Sequence, residues 1–258
     1  MTIMGALEVY RYERKFVVAE AVAVAVRQFV RAYLMPDGHM AADESTGYHV
    51  FSLYLDTPQL ALYRQSVEGI KNRYKLRIRF YDQDAAGLAF LEIKKRTTET
   101  VHKLRAMVSK PAAERLLRGG RPTSADLLSN SDTSLRALSE FCDCCERLHA
   151  DGTAFVHYRR EAYVSPSADG ERVTFDRQIA GHRYQAGGGL SLPEEAATAA
   201  ADGVVLELKY NFRAPRWMHD LVASFGLQRL SVPKYVRTVD ALNLAPEMAG
   251  TFIRSMHV

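Results

Sequence analysis

The residues best suited to chemistry are arginines and lysines at every second position. KLRIRFY, residues 75–81, sends Lys75, Arg77 and Arg79 to one face of an extended strand and Leu76, Ile78 and Phe80 to the other. Like charges that close repel one another unless something anionic lies among them. The pattern recurs along the chain. RYERKFV aligns Arg11, Glu13 and Lys15; FLEIKKR aligns Glu92, Lys94 and Arg96; VHKLR aligns Lys103 with Arg105. YRREA aligns Tyr158 with Arg160, ERVTFDR aligns Arg172, Thr174 and Asp176, and VLELKY aligns Glu207 with Lys209. The opposite faces are apolar or aromatic.

One such strand by itself reads as a solvated face whose cross-strand ion pairs are worth little. The whole set reads differently, because so many apolar faces need an outer layer. If helices supply that layer, the charged faces turn inward, where unpaired cations require a polar ligand. Phosphate fits best: guanidinium forks match its oxygens and ammonium groups add point charge. A chain of phosphates suits cations spread over many strands better than a single one. Glu13, Glu92 and Glu207 then make sense as oxygen ligands for Mg²⁺ or Mn²⁺, or as groups that orient the cations. Nucleic acid is not expected. Its binders expose basic grooves with stacking aromatics, whereas Tyr12, Phe16, Phe80, Phe90 and Phe175 mostly sit opposite the charges.

The elements that must position these residues follow from periodicity. Alternation predicts strands over 9–18, 49–57, 73–82, 89–97, 100–108, 153–164, 171–179 and 204–211. Helical spacing predicts helices near 19–34, 58–66, 111–118, 134–148, 215–225 and 234–243. Many strands joined by short turns, with helices added outside, imply an α+β fold with a predominantly antiparallel sheet that could close into a barrel. No repeat and no composition break divides the 258 residues, so one domain is expected. A net charge of +4 rules out a polybasic coat, so an anion site must come from local arrangement.

Three cysteines, Cys142, Cys144 and Cys145, crowd one predicted helix without a second ligand pair for zinc, which favours free thiols and a reducing cytoplasm. The eight histidines show no clustering, and His102 and His157 read as packing residues. The first residues lack the layout of a signal peptide, and AVAVAVRQFV, broken by Arg27, is too short to span a bilayer.

RYERKF, SLYLDT followed by LY, KLRIRFY, LEIKKR with VHKLR, YRREAY, RVTFD, LELKYN and PKYV stand in order from about residue 9 to about 240. That series resembles the VTC (vacuolar transporter chaperone) domain. This domain is the polyphosphate polymerase branch of the triphosphate tunnel metalloenzymes, the CYTH-like superfamily. The resemblance implies an antiparallel β-barrel tunnel lined by basic residues, with helices packed outside. A divalent metal, Mn²⁺ or Mg²⁺, helps such a polymerase move the γ-phosphoryl of ATP onto a growing polyphosphate chain. Matched motif by motif, Lys15, Arg77, Arg79, Lys94, Arg160, Arg172 and Lys234 are the implied catalytic set, and Glu207 the metal carboxylate. Glu13, Lys75, Glu92, Lys103, Arg105 and Lys209, from the charged faces, are expected to bind substrate together with Tyr158 and Tyr235 of the matched motifs.

Two departures qualify the match. Arg11 replaces the first glutamate of the ExExK opening found in hydrolytic tunnel enzymes, which tells against their paired-carboxylate site. Pro233 stands where a serine is usual before Lys234, which removes a hydroxyl contact. The expectation is therefore an ATP-dependent polyphosphate polymerase. A triphosphatase or nucleotide hydrolase on the same barrel, and a non-catalytic polyphosphate or inositol-phosphate binding module, are the alternatives. Since members of the family often work beside a membrane protein, the resemblance also implies a cytoplasmic enzyme docked at the inner membrane through a partner.

Overall fold

The computed structural model describes residues 11–40, 47–97, 101–129, 131–167, 170–195 and 197–246. Residues 9, 10 and 100 of the expected strands lie outside these. In chain order the elements are β1 (Arg11–Val18), α1 (Glu20–Val30), β2 (Met35–Pro36), β3 (Tyr48–Asp56), α2 (Ala61–Val67), β4 (Arg73–Phe80), β5 (Leu88–Arg96) and β6 (Val101–Ser109). There follow α3 (Lys110–Leu117), α4 (Asp132–Leu148), β7 (Asp151–Val164), β8 (Arg172–Arg183), β9 (Thr198–Ala199), β10 (Val204–Asn211), α5 (Arg216–Ser224) and α6 (Lys234–Ala241). The fold is α+β, and its strands pair antiparallel in the order β1-β10-β8-β7-β3-β4-β5-β6, with β2 beside β7 and β9 beside β8. β1 and β6 end this order.

Two compact units emerge, each assembled from three stretches of chain. Unit 1 takes Met1–Gly47, Arg160–Arg177 and Gly203–Val232; unit 2 takes Tyr48–Arg159, Gln178–Asp202 and Pro233–Val258. In unit 1, β10 lies between β1 and the first half of β8. Alternation turns Phe16, Val18, Val173, Phe175, Leu206 and Leu208 to one side, where Ala23, Val26 and Val30 of α1 and Met218 and Leu221 of α5 cover them. Trp217 is half-buried beside this core, with its ring stacked 5.0 Å from that of Tyr33.

In unit 2, β3, β4, β5 and β6 pair in sequence. Leu53, Leu55, Leu76, Ile78, Phe80, Leu91 and Ile93 form the apolar face, under Leu62 of α2, Ala113 and Leu116 of α3, and Ala137, Leu138 and Phe141 of α4. Each large side chain buried this way contributes about 1.5–3 kcal/mol before entropy is counted. The helix α4 forms because apolar residues recur three and four apart on one face, and because the Ser131 hydroxyl accepts the Ser134 N–H at 3.1 Å. Its cysteines are free, with Cys144 buried and its neighbours half-buried. Burial, then Asp143 and Asp126, pushes the Cys142 thiol up to about 11, so it is a packing group rather than a nucleophile.

Gly181 on β8 lets α6 approach. A Cβ there would sit 2.4 Å from the Thr238 methyl and 2.5 Å from the Phe155 carbonyl oxygen.

Candidate functional site

The charged side of unit 2 follows directly from strand register. Lys75 of β4, Lys94 of β5 and Lys103 of β6 stand side by side, with Arg73 and Arg96 in the row on one side. Arg77, Glu92 and Arg105 form the row on the other side. Arg79 comes next on β4, opposite Ser52 of β3. Among the described residues of β4, β5 and β6, Glu92 is the carboxylate that this face offers to all those cations. It is heavily used. Arg77 donates from Nε to Glu92 Oε2 at 2.6 Å and from Nη2 at 2.5 Å. Lys103 Nζ lies 2.8 Å and Arg105 Nε 3.4 Å from Oε1.

Glu92 is 2% exposed. Burial works against its charge, but Arg77, Arg79 and Lys103 outweigh it and hold its pKa far below the usual carboxylate range. Arg79 is also buried. It donates from Nη2 to the Tyr158 hydroxyl at 3.3 Å and from Nε to Ser52 Oγ at 3.4 Å. Lys234, at the start of α6, sets its ammonium 5.0 Å from the centre of the Tyr158 ring. Tyr158 is thus a platform between two cations.

Tyr235 is occupied differently from Tyr158. Its hydroxyl donates to Asp56 Oδ2 at 2.8 Å, and its ring stacks 4.8 Å from that of Tyr54 at an interplanar angle of 13°. Asp56 also accepts the backbone N–H groups of Thr57, Leu62 and Tyr63. This buried carboxylate therefore ties the end of β3, the entry to α2 and the start of α6 together.

The charged side of unit 1 is built on β1, β10 and β8. Glu13, Lys209 and Arg172 form one row and Lys15, Glu207 and Thr174 the next, followed by Asp176. Lys15 Nζ lies 2.9 Å from Glu13 Oε1 and 3.1 Å from Glu207 Oε1. Glu207 Oε2 meets Lys209 Nζ at 2.8 Å and Arg160 Nη2 at 3.9 Å. Arg160 grips Asp176 with two parallel bonds of 2.6 and 2.7 Å, and Arg172 pairs with Asp37. For Lys15, burial opposes the charge, yet Glu207 and Glu13 outweigh it and raise the pKa above the ordinary lysine value. Lys209 goes the other way. Burial, with Arg160 nearby, takes its ammonium down to about 8 even though Glu207 favours the charge.

The implied Mg²⁺ or Mn²⁺ can be tested against this donor set. Among the described residues no group of three His, Cys, Asp or Glu side chains is arranged to hold a metal. Glu207, however, faces Thr174 across the strand pair, and the Thr174 hydroxyl is fully buried without a hydrogen-bond partner. An anionic oxygen beside an unused hydroxyl suits a hard cation that keeps most of its ligands as water and phosphate oxygens, as Mg²⁺ usually does. Both Glu207 oxygens are held by ammonium groups, Oε1 by Lys15 and Oε2 by Lys209, so a divalent cation would reach the carboxylate by displacing one of them.

Comparison with known proteins decides the family. The model of the VTC domain matches residues 10–243. The chain belongs to the VTC domain family. Among solved structures it is similar to a Vibrio parahaemolyticus protein assigned provisionally as an adenylate cyclase. That match has 13% identity and a TM-score of 0.44, covering 88% of this chain and 97% of the other. It is also similar to the PH1819 protein of Pyrococcus horikoshii OT3, with 11% identity and a TM-score of 0.43, covering 92% and 99%. No protein of curated function matches it.

In this VTC-domain protein the structure brings Lys75, Arg77, Arg79, Glu92, Lys94, Lys103, Arg105, Tyr158, Lys234 and Tyr235 into unit 2, and Glu13, Lys15, Arg160, Arg172, Glu207 and Lys209 into unit 1. Alternation did not point to Asp37, which pairs with Arg172 from beyond α1, nor to Tyr54 and Asp56. His157 lies against Phe51 and His182. Burial, then His182 and His49, takes its pKa down to about 4, which keeps the ring neutral. No helix among the described residues is long and apolar enough to cross a membrane.

Proposed function

We propose that this VTC-domain protein is an ATP-dependent polyphosphate polymerase. The observation that carries the reading is the gathering of cations on the unit 2 face, where register places Arg73, Lys75, Arg77, Arg79, Lys94, Arg96, Lys103 and Arg105 together and Arg77, Lys103 and Arg105 meet at Glu92. A face so charged is completed by a multivalent anion, and a run of linked phosphates presents charge at the right density. The domain family supports phosphate handling on this fold.

In the reaction, an oxygen of the chain's terminal phosphate attacks the γ-phosphorus of ATP. A new P–O–P linkage forms as the bond from that phosphorus to the β–γ bridging oxygen breaks, and ADP leaves with the electron pair. No protein nucleophile is needed, because the acceptor is itself a phosphate oxygen. Catalysis is then positioning and charge neutralisation. Arg77 and Arg79, already oriented by Glu92, Ser52 and Tyr158, hold phosphate oxygens with little reorganisation. Lys75, Lys94, Lys103 and Lys234 add charge along the chain. In unit 1, Glu207 would be the carboxylate that holds Mg²⁺ or Mn²⁺, and the cation would neutralise nucleotide phosphate charge. Lys15 and Lys209 fix the orientation of Glu207, and Arg160 and Arg172 are held in place by Asp176 and Asp37. A membrane-protein partner and a cytoplasmic location belong to the same proposal.

The test is incubation of the purified protein with ATP and Mn²⁺ or Mg²⁺. Long phosphate polymer on a gel, with ADP released in step, is expected. Orthophosphate without polymer would move the assignment to a hydrolase. Tight polyphosphate binding without turnover, indifferent to chelator, would move it to a binding module.

A further inference from the structure

Tyr54 lies on β3, outside every set of residues that alternating charge singles out. Register places it beside Arg77, as Ser52 is beside Arg79, so it belongs to the charged face of unit 2. Its side chain is 8% exposed and held on two sides. Arg77 Nη1 donates to its hydroxyl at 3.2 Å, and Tyr235 stacks on its ring. Tyr235 is in turn fixed by Asp56, whose carboxylate is anchored by three backbone N–H groups. The phenol oxygen thus serves as an acceptor toward Arg77, and among the described residues no acceptor takes the phenol's own proton.

We propose that Tyr54 is a ligand-binding residue of this face, its hydroxyl donating a hydrogen bond to an oxygen of the bound phosphate chain. The inference rests on the reading of unit 2 as a polyphosphate site and names a donor in it. The surrounding cations bind by charge and tolerate many positions of the ligand. A phenol clamped by a ring stack points one O–H in one direction, which fixes where a phosphate oxygen sits. The local field strengthens that donor. Burial opposes ionisation, but Arg77, Lys75 and Arg79 overcome it and take the phenol down to about 8. The groups around it are these three on β4, Glu92 on β5, Asp56 on its own strand and Tyr235 on α6. The competing account is that Tyr54 only fills the space between Tyr235 and Arg77, which a phenylalanine would do as well.

Tyr54→Phe separates the two, because it keeps the stack and removes the hydroxyl. Titration of the full-length protein with inorganic tripolyphosphate near pH 7 should show the variant binding about tenfold more weakly, with only the small loss of thermal stability that the missing bond from Arg77 causes. Above pH 8 the difference should shrink, since the wild-type phenol has lost the proton it donates. Equal affinity of the two proteins near pH 7, with tight binding by the wild type, overturns the inference and leaves the polyphosphate site standing. No binding by the wild type removes the site itself, and the inference with it. A measurement on the wild type alone guards against a variant that fails to fold. Saturating tripolyphosphate should move the ultraviolet phenolate transition upward from about 8, and a transition that stays in place overturns the proposal.

Discussion

In unit 1 four cations of the charged face each meet a carboxylate: Lys15 meets Glu13 and Glu207, Lys209 meets Glu207, Arg160 meets Asp176 and Arg172 meets Asp37. In unit 2 Arg77 of β4 and Lys103 and Arg105 of β6 converge on Glu92, and the two from β6 are exposed. The same alternation of charged and apolar residues has therefore produced paired opposite charges in one unit and, among the described residues of β4, β5 and β6, eight cations on a face with one carboxylate in the other. Balance lets buried cations stay in place without a ligand, at the cost of leaving little field for an anion. Imbalance leaves repulsion within the fold that an incoming anion relieves, so ligand binding should stabilise the protein as well as complete the site. We accordingly assign holding of the phosphate chain to unit 2 and positioning of the reacting group to unit 1.

Substitutions on the two sides should then fail in different ways. The largest effect is expected at Glu207. Glu207→Gln should lower polymer synthesis from ATP by about a hundredfold or more while tripolyphosphate affinity changes little. A parallel loss of binding would merge the two roles. Asp176→Asn comes next, because it strands a buried guanidinium: chemical denaturation should show a loss of roughly 3 kcal/mol. Lys94→Ala, on an exposed side chain of unit 2, should leave stability unchanged in the same experiment. Arg77→Ala should weaken tripolyphosphate binding by about tenfold or more by calorimetry. Its stability cost should be smaller than that of Asp176→Asn, since Lys103 and Arg105 still cover Glu92.

The smallest effect is with pH, and it sharpens the comparison because one group lies in each unit. Lys209 has its folded pKa at about 8, below its ordinary 10.5, and Tyr54 has its own at about 8, below 10.0. Between the two values of each group the unfolded chain holds a proton that the folded protein does not. Both groups therefore add to stability as pH rises from about 8 to 10. Over the same range Tyr54 gains a negative charge and loses the proton it donates, so tripolyphosphate affinity should fall several-fold. Affinity that rises or holds constant between pH 7.5 and 9.5, measured at fixed ionic strength, would contradict these roles.

Much of this arrangement is legible in the amino-acid order. Strict alternation fixes which side of β4 carries Lys75, Arg77 and Arg79, because a side chain on a strand has only two directions. It also put Thr174 and Asp176 on the face of Arg172 before any partner was known. The helices fall where spacing placed them, with α4 and α6 starting close to the expected residues. The two-residue strands β2 and β9 are too short for any periodicity. β8 runs on to Arg183 past the left-handed Gln178, where the alternation is interrupted and the expected strand stops. Charge balance was beyond reach for a different reason. Asp37 follows the chain's exit from α1, and the bond from Tyr235 to Asp56 joins residues 179 apart, so neither partner is announced by its neighbours.

The central claim is that the unbalanced face of unit 2 recognises linked phosphates as a chain. Calorimetric titration of the full-length protein with tripolyphosphate and, separately, with orthophosphate at the same ionic strength tests it most directly. Tripolyphosphate should bind at a single site and at least about a hundredfold more tightly, since several fixed cations engage one ligand at once. Equal affinity for the two anions would mean that the cations act one by one as a solvated surface.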